Sequence, residues 1–151
     1  MSIKRALLII VGLGILAFAY YAISPLFRNI KANDALPTST STIGQTQDIS
    51  TSAAEVTGTA GHPASGTARV VQTGGKTYLR YENFKTINGP DIYVYLAKDL
   101  GAKNFVSLGQ VRATEGNINY EIPAGVNPSD YPYVLTWCKT FGVLFNSAKI
   151  N

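Results

Sequence analysis

The chain has 151 residues, room for one ordinary domain with appendages, and its 46% hydrophobic and 15% charged content is too apolar for a disordered protein. Of the formal net charge of +4, four cations (Lys4, Arg5, Arg28 and Lys31) flank the first apolar stretch, so the remainder is only weakly basic; with no Lys/Arg run or basic helix face, nucleic-acid binding is excluded. One Cys, one His and one Met exclude an internal disulfide, a Cys/His zinc site and a blue-copper centre, and no metal is expected.

In chain order, Ala6 to Phe27 comes first, almost without polar residues. Its 22 residues make about 33 Å of helix, enough to cross a hydrocarbon core. Tyr20 and Tyr21 near its far end suit the membrane interface, where the phenol keeps its hydroxyl wet. The positive-inside count ties at two cations a side, and the short amino-terminal tail favours an amino terminus in the cytoplasm and the bulk outside. A cleaved signal peptide also fits, with Ala17-Phe18-Ala19 as a small-x-small site. The bulky apolar residues Tyr20 to Ile23 favour the uncleaved anchor, giving a single-pass cell-membrane protein rather than a secreted one; both readings export the domain. The anchor segment is taken as residues 1–31.

Residues 32–57 read as a Ser/Thr-rich disordered linker. Thr38-Ser39-Thr40-Ser41-Thr42, Gln45-Thr46-Gln47 and Ser50-Thr51-Ser52 cannot bury enough surface to offset the entropy of ordering them. An O-glycosylated stalk shares this composition.

Residues 58–151 read as short strands separated by turn residues. Gly66 to Thr73 and Lys76 to Glu82 flank Gly74-Gly75, a two-residue hairpin signal, with Leu79 and Tyr81 on one face and Tyr78, Arg80 and Glu82 on the other. The turn Asn88-Gly89-Pro90-Asp91 feeds a strand from Ile92 to Ala97, with Ile92, Val94 and Leu96 inward and Tyr93 and Tyr95 outward. Further strands are expected at 106–111, 119–122, 133–139 and 142–148, with a helical turn at 127–131. The fold class is all-β, an antiparallel β-sandwich or barrel-like domain preceded by one transmembrane helix and a flexible linker.

Five blocks in this region carry a family resemblance. They are His62-Pro63-Ala64-Ser65-Gly66-Thr67-Ala68, Leu79-Arg80-Tyr81-Glu82-Asn83-Phe84, Asn88-Gly89-Pro90-Asp91-Ile92-Tyr93-Val94-Tyr95-Leu96, Gly116-Asn117-Ile118-Asn119-Tyr120-Glu121-Ile122-Pro123 and Trp137-Cys138-Lys139-Thr140-Phe141-Gly142-Val143-Leu144-Phe145. In that order they resemble the electron-transfer DM-thirteen domain family, extracellular domains attached to prokaryotic membranes and animal cell-surface proteins. The resemblance implies electron transfer through a cysteine that corresponds to Cys138, either as a bare thiol or by holding a group such as haem.

Two readings of Cys138 stand open. A free cysteine is often simply a small buried hydrophobe, whereas an unpaired thiol on an exported chain points to a redox centre. Alternation puts Cys138 with Val134 and Thr136 and turns Lys139 to the other face, so that its place next in sequence is no ground for an activated thiol. His62, the one imidazole, is the candidate partner, as a base or a haem ligand. Trp137 and Tyr95 are candidates for stacking a flat cofactor, and the Tyr-rich face as a whole for a glycan or protein partner, with cross-strand packing as the plainer use of these rings. Asp91 reads as a turn residue. The expected partners are the membrane and either a redox protein or a surface glycan; the cofactor is left unspecified, since no dedicated haem motif is present. Hydrolase and transferase readings find no residue pattern.

Overall fold

A computed structural model describes residues 2–24, 28–38 and 49–151. The chain opens with helix α1 (Ile3–Ile23), 21 residues with none buried, long and apolar enough to cross a membrane. It starts earlier than expected because Lys4 and Arg5 are good helix formers. It stops at Ile23 because Pro25 disfavours helical geometry in the residue before it. The expected extension over 25–27 lies outside the described residues.

Among the described residues eleven strands follow: β1 (Lys31–Asn33), β2 (Ile49–Ser50), β3 (Ala54–Glu55), β4 (Thr57–Gly58), β5 (Ala64–Thr73), β6 (Lys76–Thr86), β7 (Ile92–Ala97), β8 (Phe105–Gln110), β9 (Glu115–Ile122), β10 (Tyr133–Cys138) and β11 (Val143–Lys149). One sheet runs β1-β9-β6-β5-β2 with β3 also on β5; the other runs β4-β11-β10-β7-β8. Alternate residues of each sheet point inward, and Ala68, Val70, Leu79, Tyr81 and Ile118 of the first meet Val94, Leu96, Val134 and Ala148 of the second in one core. This is the expected all-β sandwich. Its pairings are antiparallel except β1 with β9, which is parallel.

The β5–β6 hairpin turns at Gly74 and Gly75, both with positive φ (56° and 75°), the conformation a tight two-residue hairpin needs. Alternation within strands is as expected: Leu79 and Tyr81 are buried, and Ile92, Val94 and Leu96 face the core. Register shifts modify it, and two of them place core residues. β6 continues past Glu82 with a register shift between Tyr81 and Phe84 and Asn83 at φ 49°, so that Tyr81 and Phe84, three positions apart, share the core face and stack at 4.3 Å. A second shift, in the pairing of β10 with β11, matches Thr136 to Asn146 and Trp137 to Leu144, leaving Phe145 as the extra residue; Phe145 and Asn146 are both buried.

The linker expectation needs correction at both ends. β1 pairs with β9, β2 and β3 pair with β5, and Val56 is a core residue, so residues taken as tether belong to the sandwich. Composition misled because these short segments gain stability from an existing sheet edge, which no local pattern records. Residues 39–48, the centre of the Ser/Thr run, lie outside the described residues. Arg80, expected on the solvent face, is 6% exposed, because residues 34–35 lie over it.

Candidate functional site

Cys138 is the last residue of β10, paired with Ile92 on β7 and Val143 on β11. Its side chain points inward with those of Val134 and Thr136, as alternation requires, and it is 1% exposed. It packs with Ile92 and Phe145, with Ile87 and Val111 at the edge of the cluster. The sulfur therefore sits among apolar side chains. Lys139 is on the other side of the sheet, its Nζ 5.5 Å from the Tyr93 ring centre.

The loop between β6 and β7 packs against two walls of this apolar box, Ile92 and Phe145. Gly89 lies so close to Ile92 and Phe145 that a methyl group there would meet the Ile92 Cγ2 and the Phe145 ring at 2.9 Å. Only glycine lets the backbone approach so near. The loop is shaped by the Gly89 amide donating to Asn88 Oδ1 at 2.9 Å, while Asn88 Nδ2 donates to the Arg28 carbonyl at 3.3 Å. At its far end the Lys139 amide donates to the Asp91 carbonyl, and the Thr140 hydroxyl donates to Asp91 Oδ2 at 2.8 Å. Asp91 thus serves the turn, as expected. The loop is tied on one side to the segment that follows α1 and on the other to the β10–β11 hairpin. Beside it a cleft of about 410 Å³ is lined by Tyr20, Tyr21, Arg28, Gly89, Ile92 and Val111; Ile92 and Val111 are also part of the Cys138 box.

His62 is half-buried and stacks on the Phe145 ring with centroids 4.1 Å apart. Its Nδ1 is 3.1 Å from Thr59 Oγ1, and that hydroxyl lies 2.8 Å from the Leu144 carbonyl. A hydroxyl has one proton, and the shorter bond is to the carbonyl, so Nδ1–H is assigned as donor to Thr59 and Nε2 keeps a free lone pair. His62 and Cys138 therefore touch the same phenyl ring, but no direct bond joins them among the described residues.

The remaining candidates, Trp137 and Tyr95, are on the opposite face of the second sheet, because Trp137 is adjacent in sequence to Cys138 and Tyr95 pairs with Leu135. There Tyr95, Ala97 and Leu135 are buried among Tyr93, Tyr133, Trp137 and Leu144. The expectation of Tyr93 and Tyr95 as a matched exposed pair needs correction: Tyr95 is 3% exposed, stacked on Phe105 at 4.1 Å. Phe105 was not foreseen as its cover because it is in the next strand's first position, beyond the reach of alternation. Tyr93 and Trp137 remain half-buried on this face. The four candidates form two groups on either side of the sheet.

These positions do not fit an axially ligated haem. The sulfur is enclosed by aliphatic and phenyl groups, and the face of the His62 ring is stacked on Phe145, one of those groups. No group of three or more His, Cys, Asp or Glu arranged to hold a metal is present among the described residues.

A charged cluster absent from the sequence reading occupies the outer face of the first sheet. Arg80 donates through Nε to Glu82 Oε1 at 2.8 Å and through a terminal nitrogen to Asn119 Oδ1 at 2.9 Å and to the Asp34 and Ala35 carbonyls. Arg69 also reaches Glu82 Oε1, at 2.7 Å, and Arg112 pairs with Asp34 at 3.2 Å. Burial pushes the Glu82 carboxyl up, but the bonds from Arg80 and Arg69, helped by their charge, outweigh it and hold the carboxyl below the usual range. The cluster's role is to fasten residues 34–35 to the sheet.

The comparisons with known proteins carry one match. Neither a curated protein nor a solved structure matches the chain. A family model described as Electron transfer DM13 matches residues 56–150, more than half of the chain and most of the sandwich, including Cys138 and the residues clustered with it. The chain belongs to the Electron transfer DM13 family.

Proposed function

We propose that this protein is a membrane-anchored, extracytoplasmic electron-transfer domain whose redox-active atom is the Cys138 sulfur, kept closed by the loop Asn88 to Asp91. One observation carries the reading: the only thiol of an electron-transfer family member lies under a glycine-dependent cover tied to the segment that follows the apolar helix. Enclosure has a chemical use outside the cytosol, because thiol oxidation follows exposure and thiolate character. A closed box preserves the reduced sulfur until the cover moves.

With the cover open, a lone thiol delivers electrons by thiol–disulfide exchange with a partner disulfide. The Cys138 thiol loses its proton to water and its thiolate attacks one partner sulfur. The S–S bond breaks, a mixed disulfide forms, and the second partner sulfur leaves as a thiolate. The anchor reading of α1 is supported by its length, apolar circumference and lack of any buried residue.

The test uses the full chain in lipid vesicles with glutathione disulfide as the probe. Intact mass should show one glutathione per wild-type chain, formed slowly, and none on Cys138→Ser. An unfolded wild-type chain that takes the adduct while the native chain never does would assign Cys138 to the inert core. A surface-binding module is the second reading, favoured by the half-buried Tyr93 and Trp137 on the outer face of the second sheet, and it would survive that outcome.

A further inference from the structure

The attachment of residues 28–30 fixes which end of the sandwich faces the bilayer. The Arg28 carbonyl accepts from Asn88, the Ile30 amide donates to Thr114 Oγ1 at 3.0 Å, and the Ile30 carbonyl accepts from the amides of Thr114 and Glu115. Only residues 24–27 separate Ile23, the end of α1, from the first docked residue. Even fully extended, those links span at most about 18 Å. The end of the sandwich that carries Asn88 and Thr114 is therefore held next to the end of α1.

The β10–β11 hairpin tip projects from the same end, because Cys138 pairs with Ile92 and the Lys139 amide bonds to Asp91. At its apex Phe141 is 45% exposed, and Val143 beyond it is 36% exposed. These are apolar side chains on a turn otherwise built of Lys139, Thr140 and Gly142. The Phe141 ring meets that of Phe18 edge-on, with centroids 6.4 Å apart. Phe18 precedes Ile23 by five residues, or about 7.5 Å along the helix axis, which falls within the roughly 5–10 Å that interfacial apolar side chains reach below the headgroups. The charges beside the tip suit an anionic surface: Arg28 and Lys139 flank the loop, the Asp91 carboxylate accepts the Thr140 hydroxyl within the hairpin, and the Glu115 carboxylate behind Ile30 is paired with Lys31.

We propose that the hairpin tip, with Phe141 at its apex, inserts into the outer leaflet of the membrane that α1 spans, so that the cover over Cys138 sits against lipid. This rests on the anchored reading of α1. An apolar ring at the depth of Phe18 is surrounded by acyl chains, while Lys139 and Arg28 remain level with the headgroups. The lipid surface would then bear on the Asn88 to Asp91 loop through both of its fastenings, Arg28 and Thr140.

The experiment uses the full chain in vesicles of phosphatidylcholine with phosphatidylglycerol. An environment-sensitive fluorophore is attached at Phe141→Cys or, as a control, at Lys103→Cys in the β7–β8 loop at the opposite end of the sandwich. Wild-type chain treated in parallel reports any labelling of enclosed Cys138. Phe141 is exposed, so its substitution leaves the core packing intact. The expected result is blue-shifted emission at position 141 and quenching by shallow nitroxide lipids about threefold stronger than at position 103. If the chain floats with vesicles but the two positions report the same watery environment, the insertion is overturned and the anchor stands. If the chain does not float, the anchored reading itself fails.

Discussion

Replacing Cys138 by serine exchanges a sulfur that tolerates an apolar box for a hydroxyl that does not. Ile92, Phe145, Ile87 and Val111 offer a hydroxyl no acceptor, so Cys138→Ser should lose about 1–3 kcal/mol in urea unfolding; an unchanged midpoint would show that the hydroxyl finds a partner. Glu82 is governed by charge instead. Its folded pKa lies below the unfolded value, so its stabilisation is present above the unfolded pKa and is lost as pH falls through the folded one. Glu82→Gln should cost about 1–2 kcal/mol near neutral pH, with the gap to wild type closing once the medium is acidified below about pH 4. A constant gap across that range would remove the carboxylate from the account. Alternation was enough to read the inward direction of Cys138 and the outward direction of Lys139 from sequence. The burial of Arg80 was not legible, because the residues that cover it are more than forty positions away and joined to it only through backbone carbonyls.

At the scale of elements, the strands with a clean two-residue period, β5, β6 and β7, were legible, and so was the Gly-Gly hairpin. The bulges were not, since a bulge moves one residue to the other face without any change of composition; Phe84 and Phe145 reach the core only through them. The short strand β1 has no internal period and depends on the edge of β9. Its attachment is reinforced by Lys31 with Glu115 at 3.0 Å and by Asp34 with Arg112 and the Asn119 amide. Asp34→Ala removes the carboxylate from Arg112 and the acceptor from Asn119 together. Amide hydrogen exchange of residues 31–35 should then speed up at least tenfold while the β7–β10 pairing keeps its protection. Equal protection in both variants would mean that strand pairing alone holds β1.

For the whole molecule, docking of residues 28–38 changes the path from helix to domain. The Ser/Thr run is not the sole connection between α1 and the sandwich, because β1 on one edge of the first sheet and β2 on the other already hold both of its flanks. A protease site inserted between Thr40 and Thr46 should therefore be cleavable without release: the anchor fragment and the domain fragment should co-purify until denaturant is added. Separation in native buffer would restore the picture of a free stalk. The family's signature could be read across the sandwich because its blocks fall on β5, β6, β7, β9, β10 and β11 and their turns, but the cover over the thiol could not, as it depends on a glycine contact and a bond to Arg28.

The most direct measurement is the rate at which iodoacetamide alkylates Cys138 in the vesicle-bound full chain, in wild type and in Gly89→Ala. The added methyl would meet Ile92 and the Phe145 ring at 2.9 Å, so that either the loop or these walls of the thiol's box must shift and the enclosure loosens. Wild type should react about a hundredfold more slowly than the urea-unfolded chain, and Gly89→Ala should recover a large part of that difference while retaining the β-sheet signature. A wild-type rate equal to that of the unfolded chain, or a Gly89→Ala rate no faster than wild type, would contradict a thiol guarded by the Asn88 to Asp91 loop.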